Sequence, residues 1–382
     1  MRFSLRTDNP AGRSHRLIER MELCRSTNSV RLDLSLTDPT GWPERADLER
    51  QCLSYLSDPG SNRYCPDAQG LESTRRILSE WTHGRVPAQD WFLCASTSEA
   101  YSILFQLLCD PGDKMVVNRP SYPLLDDLAR HGGLGLVDVP LRLLGTQWHL
   151  DIGRLEQAFR DPAVKAFCLI QPGNPTGWFL SPAERSKVVA LCAKHDVALI
   201  SDEVFADYTY QDGYSSLLGE TGCLTFALSG LSKGFGLPGF KMGWIAMSGP
   251  LLPLSEARER LQRLNDSLLS VSTPVQQALK HLIPLSSSLR APIRSRLESN
   301  RRLWMESNSD REAFLPIPAG WMGVVRLAPG IEEAFCDSLL DQGILVQPGF
   351  LFDLPWDCVV VSLLTDPLVF QEGLTVLQVL VV

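Results

Sequence analysis

Between residues 114 and 247 the chain alternates short, uninterrupted apolar runs with longer segments of helical spacing. Residues 114–118, 166–171, 197–201, 224–229 and 243–247 are apolar at most positions and too short for typical helices. Such runs read as strands buried on both faces, because a solvated face would show polar residues at every second position. Arg119-Pro120 stops the first and Pro172-Gly173 the second. Between two of them, the segment from Pro182 to His195 puts Val188, Val189, Leu191 and Cys192 on one side of a helix. Strands separated by helices predict an α/β fold with a mainly parallel sheet flanked by helices.

After about residue 251 the pattern changes. Residues 255–270 read as a charged helix, Ser272-Thr273-Pro274 interrupts it, and helical spacing resumes to about Asn308. Strands with Gly and Pro punctuation follow near 323–327 and 358–363. This predicts a large domain over 40–252 and a smaller α+β domain built from 1–39 and 253–382. A chain of 382 residues suits two domains. The apolar end, residues 376–382, packs as a terminal strand or helix face, being far too short to span a bilayer. Met1-Arg2-Phe3-Ser4-Leu5-Arg6 leads into polar sequence, which argues against a signal peptide.

Charge and cysteine usage narrow the picture. The net charge is −8 and no block of Lys or Arg stands out, so neither nucleic acid nor membrane is an expected partner. Ten scattered cysteines form no C-x-x-C pair and no Cys/His ligand spacing. They read as reduced thiols of a cytoplasmic protein, with no metal site.

Four polar segments each leave an apolar strand-like run: Ser96-Thr97-Ser98-Glu99, Asn174-Pro175-Thr176-Gly177, Ser201-Asp202-Glu203, and Ser232-Lys233-Gly234-Phe235-Gly236. In an open parallel sheet, ligands collect beyond the carboxyl ends of the strands, so the four belong to one site. A lysine after a hydroxyl residue and before a Gly-rich turn suits an amine that holds an aldehyde cofactor as a Schiff base. Such an amine must be reachable, partly desolvated and on a backbone that allows close approach. Ser96 to Glu99 reads as a capping box ahead of helical residues 100–108, and a helix N-terminus beside hydroxyls also suits a phosphate dianion. Taken alone, Asp202 reads equally as a structural acid at a strand end, and Asn174 as ordinary turn chemistry.

Together these segments, over roughly residues 32–364, resemble the class I/II aminotransferases, the fold-type I enzymes that use pyridoxal 5′-phosphate. The resemblance implies that Lys233 forms the Schiff base and moves the substrate proton, that Asp202 keeps the pyridine nitrogen protonated, and that Asn174 donates to the cofactor's phenolate oxygen. It implies phosphate contacts from Ser96, Thr97, Ser98 and Ser232, with a serine at 96 where the family usually has glycine, and a stacking role for Tyr122 in Pro120-Ser121-Tyr122-Pro123. Tyr64 resembles the tyrosine that reaches the neighbouring subunit's phosphate, which implies a homodimer with shared sites. The implied activity is amino transfer from an amino acid or amine to a keto or aldehyde acceptor.

Three positions depart from the family pattern. Its phosphate-binding arginine is Lys241 here, which loses the bidentate fork. Its tyrosine after the aspartate is Phe205, which removes a phenol donor and implies a raised Schiff-base pKa. Its carboxylate-gripping arginine is Val360, and valine binds no carboxylate. Arg326 is a substitute candidate, although a strand arginine that is exposed or salt-bridged fits it as well. The same site also supports a lyase or cyclase acting at Cβ or Cγ. A non-catalytic ligand sensor is a third reading, for which neither end of the chain offers a basic helix-turn-helix.

Overall fold

The computed structural model describes residues 3–7, 16–307 and 313–380. Its strands are β1 (Leu32–Asp33), β2 (Trp91–Cys94), β3 (Lys114–Arg119), β4 (Gly135–Leu144), β5 (Gln147–Leu150), β6 (Val164–Ile170) and β7 (Ala198–Asp202). They continue with β8 (Thr225–Gly230), β9 (Gly243–Ser248), β10 (Met322–Arg326), β11 (Ile344–Leu345), β12 (Gln347–Pro348) and β13 (Cys358–Ser362). Eight of them form one sheet in the order β2-β9-β8-β7-β6-β3-β4-β5. Neighbours from β8 through β4 pair in parallel, while β9 and β5 run against the rest.

The apolar runs become strands for the reason their composition suggests. Along β6, Val164, Phe167 and Leu169 pack into one core, and Ala166, Cys168 and Ile170 into another on the opposite face. On β3, Val116 joins the first core and Met115 and Val117 the second. Both faces are covered, so both positions of the two-residue period are apolar.

The helix Pro182–His195 covers one face. Ser181 caps it, its hydroxyl accepting from the Glu184 N–H, while Glu184 bonds back to the Ser181 N–H. Val188 and Cys192 are its buried pair, with Val189 and Leu191 packed at the edge. The helix Thr97–Leu108 covers the other face and buries Ala100, Tyr101, Ile103, Leu104 and Phe105.

Beyond the large sheet, β10, β13 and β12 form an antiparallel sheet, and β1 pairs in parallel with β11. The helix Leu251–Asp266 begins four residues before the expected 255. The helix Thr273–Ser307 runs without a break through Pro284 and Pro292; Asn308, the expected end, lies outside the described residues. Its first half packs on the large sheet through Val275, Leu279 and Leu289, and its second half on the smaller one through Ile293, Leu297 and Trp304. The apolar C-terminal stretch is part of a helix, Pro367–Leu380, that buries Leu374 and Leu377; Val381 and Val382 lie outside the described residues, as do Met1 and Arg2 at the other end. Among the described residues, no helix is long and apolar enough to cross a membrane, and no cluster could hold a metal ion.

The two regions meet tightly at one glycine. Gly177 has φ +65°, and a Cβ there would sit 2.3 Å from the Ala319 carbonyl oxygen. Gly177→Ala combines left-handed strain with a backbone clash and is expected to cost about 2 kcal/mol or more. Thermal melts of the variant and its parent check this, and an unchanged melting temperature contradicts it.

Candidate functional site

Three neighbouring parallel strands deliver three polar side chains to one place. β6 ends at Ile170 and leads to Asn174, β7 ends on Asp202, and β8 leads into the single helical turn Leu231–Gly234 that carries Lys233. All three line a cavity of about 290 Å³. Ser96, Thr97, Ser98, Tyr122, Phe205 and Ser232 line it too, so nine residues singled out in the sequence come together. Thr37, Trp321 and Met322, from the two ends of the chain, share the wall with Val204 and with Ile170, Gly230, Met242 and Gly243.

The Lys233 amine lies 3.4 Å from the Thr37 carbonyl oxygen and 4.7 Å from the centroid of the Trp321 ring. Burial lowers its pKa from the ordinary lysine value, with Asp38 pulling weakly the other way. A lowered value raises the fraction of neutral, nucleophilic amine. The backbone around it is fixed by Arg45, which is fully buried. Its guanidinium donates to the carbonyls of Pro39 (3.0 Å), Phe235 (3.3 Å) and Gly236 (2.9 Å). Gly236 has φ +65°, and a Cβ there would meet the Arg45 Nη1 at 2.4 Å. The Gly-rich turn after the lysine therefore serves this close approach. Tyr208 adds a hydrogen bond of 2.8 Å from its hydroxyl to the Lys233 carbonyl.

Asp202 is 5% exposed. Its Oδ1 accepts from the Val204 N–H at 3.0 Å and its Oδ2 from the Tyr101 hydroxyl at 2.6 Å. Burial pushes its carboxyl up to about 6, against the pull of those two donors. Glu203, next in sequence, turns away from the cavity and accepts from Ser201 Oγ, Ser216 Oγ and the Leu217 N–H.

Asn174 lines the cavity with its side-chain oxygen buried and without a hydrogen-bond partner. Ser96 caps the helix Thr97–Leu108, its hydroxyl accepting from the Glu99 N–H at 3.1 Å. Glu99 bonds back to the Ala95 N–H rather than to Ser96, so the capping box is displaced by one residue. The loop carrying Tyr122 is braced by Arg119, which pairs with Asp126, Asp138 and Asp353 at 2.6, 3.0 and 2.9 Å.

Two anticipated residues lie elsewhere. Lys241 is exposed, has φ +52° and does not line the cavity. Tyr64 is 83% exposed and lines a separate hollow beside Ser270, Val271, Ser272 and Thr273. Arg326 is half-buried and stacks on Trp356, 4.5 Å from its ring centroid; it does not line the cavity, and it is neither exposed nor in an ion pair with a described residue, as the alternative reading had it. Val360 is 0% exposed in the middle of the smaller sheet, facing Val324 and Gln347 in the ladder. Lys233 is the one cation among the described cavity-lining residues.

Comparison with known proteins identifies the family. The sequence profile of aminotransferase class I and II matches residues 32–366, and the chain belongs to that family. Its members are pyridoxal-phosphate-dependent transferases that take an amino-acid donor and a keto-acid acceptor. The chain is 28% identical over 348 residues to an alanine aminotransferase of Mycobacterium tuberculosis, covering 85% of this chain and 79% of that one. It is 27% identical over 366 residues to a tyrosine aminotransferase of Homo sapiens, covering 89% and 78%. Among solved structures, an alanine aminotransferase from Pyrococcus furiosus superposes with a TM-score of 0.87 at 21% identity, covering 100% of this chain and 99% of that one. The fold is that of the fold-type I aminotransferases.

The donor set of the cavity fits pyridoxal phosphate. It offers a buried amine, a side-chain amide with N–H groups to donate, a carboxylate and a row of hydroxyls at a helix N-terminus. This arrangement carries a stability cost that can be measured. A carboxyl whose folded value lies above its unfolded one favours the folded state while protonated; that advantage is whole below about 4 and lost as pH rises through about 6. In cofactor-free protein, Asp202→Asn is therefore expected to raise stability at pH 8 by about 1–3 kcal/mol and to change it little near pH 4. Urea titrations at the two pH values check this; equal stability of the two proteins at pH 8 contradicts it.

Proposed function

We propose that amino transfer takes place in the cavity at the ends of β6, β7 and β8, with Lys233 as covalent anchor and proton carrier. What supports this reading is that Lys233, Asp202 and Asn174 line one enclosed space, with amine and carboxyl both shifted toward neutrality by burial. Pyridoxal phosphate, when bound, supplies an aldehyde that captures amines and a ring that takes up the electron pair left at the donor's α-carbon.

The chain's own groups would hold it by polarity. Ser96, Thr97, Ser98, Ser232 and the N-terminus of the helix Thr97–Leu108 would receive the phosphate. Tyr122 would lie along the ring face, the Asn174 amide would donate to the phenolic oxygen, and the Asp202 carboxylate would hold the proton on the ring nitrogen. Lys233 enters as the neutral amine favoured by its burial. Its Nζ, freed when a donor amine takes its place, would be the base that carries the donor's α-proton. Trp321, Phe205 and Met322 would exclude water around that transfer.

We also take residues 40–252 as the core of the cofactor domain and 1–39 with the C-terminal region as the second; the β1–β11 pairing supports the N-terminal assignment, while the helix Leu251–Asp266 and the first half of Thr273–Ser307 pack on the large sheet. Ten free thiols fit a reducing, cytoplasmic setting. The exposed Tyr64, in one hollow with the exposed Leu269, supports a homodimer in which Tyr64 reaches the partner's phosphate. Light scattering is expected to give twice the chain mass of 42.4 kDa; a fully active monomer contradicts the dimer.

Val360 favours a second outcome, elimination or cyclisation at Cβ or Cγ, because its place in the sheet offers no grip on an α-carboxylate. A donor screen on the holoenzyme separates the two. Transamination predicts loss of the Lys-bound cofactor's absorbance, conversion of the cofactor to its amine form and one keto product per turnover. Ammonia or a cyclised product, with no amine form for any donor, contradicts it.

A further inference from the structure

Tyr101 sits one turn inside the helix Thr97–Leu108, 1% exposed, in the core that backs the cavity. It is not among the cavity-lining residues, yet its hydroxyl lies 2.6 Å from Asp202 Oδ2. Among the described residues it is the one side chain that donates to that carboxylate; the other donor is the Val204 N–H, on Oδ1. The two donors take the two oxygens separately, so the plane of the carboxyl group is fixed from both sides.

We propose that Tyr101 is a positioning residue for the reaction: its hydroxyl aims Asp202 at the cofactor's ring nitrogen and keeps it ionised there. The inference rests on the reading of Asp202 given above and assigns that residue its partner. A phenol is well suited to the task. It stays protonated, because burial and the neighbouring Asp202 charge both raise its pKa well above the ordinary tyrosine value. It therefore donates to the carboxylate at every working pH and never competes for the ring proton. The other titratable groups facing Asp202 work the opposite way or are silent. Glu203, the residue after β7, disfavours its charge, and the Cys168 thiol on β6, Tyr122 and Tyr214 are all raised by burial and stay neutral.

Tyr101→Phe keeps the ring and removes only the hydroxyl. The experiment measures the fraction of pyridoxal phosphate retained by holoenzyme on equilibrium dialysis at a series of pH values. Loss of a hydrogen bond to a charged group is expected to move half-release upward by about one pH unit. It is also expected to weaken retention at neutral pH about tenfold. In an Asp202→Asn background the same tyrosine substitution is expected to add nothing, because its partner is no longer an anion. Superimposable release profiles of Tyr101→Phe and the parent overturn the proposal, as does an equal further loss in the Asp202→Asn background. If Asp202→Asn itself retains cofactor like the parent, the site reading fails as well, so the two failures are distinguishable.

A measurement on unsubstituted protein stands even if Tyr101→Phe does not fold. The infrared carbonyl band of protonated Asp202 in cofactor-free protein is identified by its loss in Asp202→Asn. Titration near pH 6 supports the donated hydrogen bond. Titration above about 8, where buried acids without donors lie, contradicts it.

Discussion

Asp202 and Lys233 line one cavity, on the ends of adjacent strands, and form no ion pair with each other. The rest of the site depends on that separation. A salt bridge between them would stabilise the protonated amine and occupy the carboxylate, removing the nucleophile and the partner of the ring nitrogen together. Each is instead held by neutral groups: Asp202 by a phenol and a backbone N–H, Lys233 by the Thr37 carbonyl and the face of Trp321. Both therefore carry a desolvation cost that no ion pair offsets, Asp38 acting on Lys233 only through space, and groups left in that state are candidates for chemistry rather than stability.

The fold supplies this cost's compensation at a distance. The sheet that carries both residues is packed apolar on both faces. The loops beyond it are tied to the second region by Arg45, by Arg119 reaching Asp353, and by the contact of Gly177 with Ala319. Arg45 has the broadest reach, because one buried guanidinium fixes both the turn after Lys233 and the segment containing Pro39, close to the Thr37 that touches the amine. Site geometry and inter-region packing are thus one structure, and the cavity wall includes residues from 37 to 322.

Much of this was legible from composition alone, for local reasons. β3, β6, β7, β8 and β9 declared themselves because both of their faces are apolar, and the helix Pro182–His195 because Val188, Val189, Leu191 and Cys192 fall on one side of it. Lys233, Asp202 and Asn174 stood out because Gly and Pro punctuation placed each at a strand end. The β4–β5 hairpin was not legible, since its strands mix exposed, half-buried and buried positions with no clean period. Tyr101 was hidden inside an apolar helical run, where a tyrosine reads as core; only folding brings it to an aspartate 101 residues away. Thr37 and Trp321 were hidden for the same reason. Lys241 shows the converse: the family resemblance implies a phosphate ligand there, whereas its side chain is exposed and not among the cavity-lining residues.

Borohydride reduction of the holoenzyme, followed by peptide mapping, tests the central assignment most directly. Reduction locks the cofactor to whichever amine carries it. The account predicts a single modified peptide with the cofactor's mass on Nζ of Lys233. Modification of another lysine, or no stable adduct in a protein that still transfers amino groups, would contradict it.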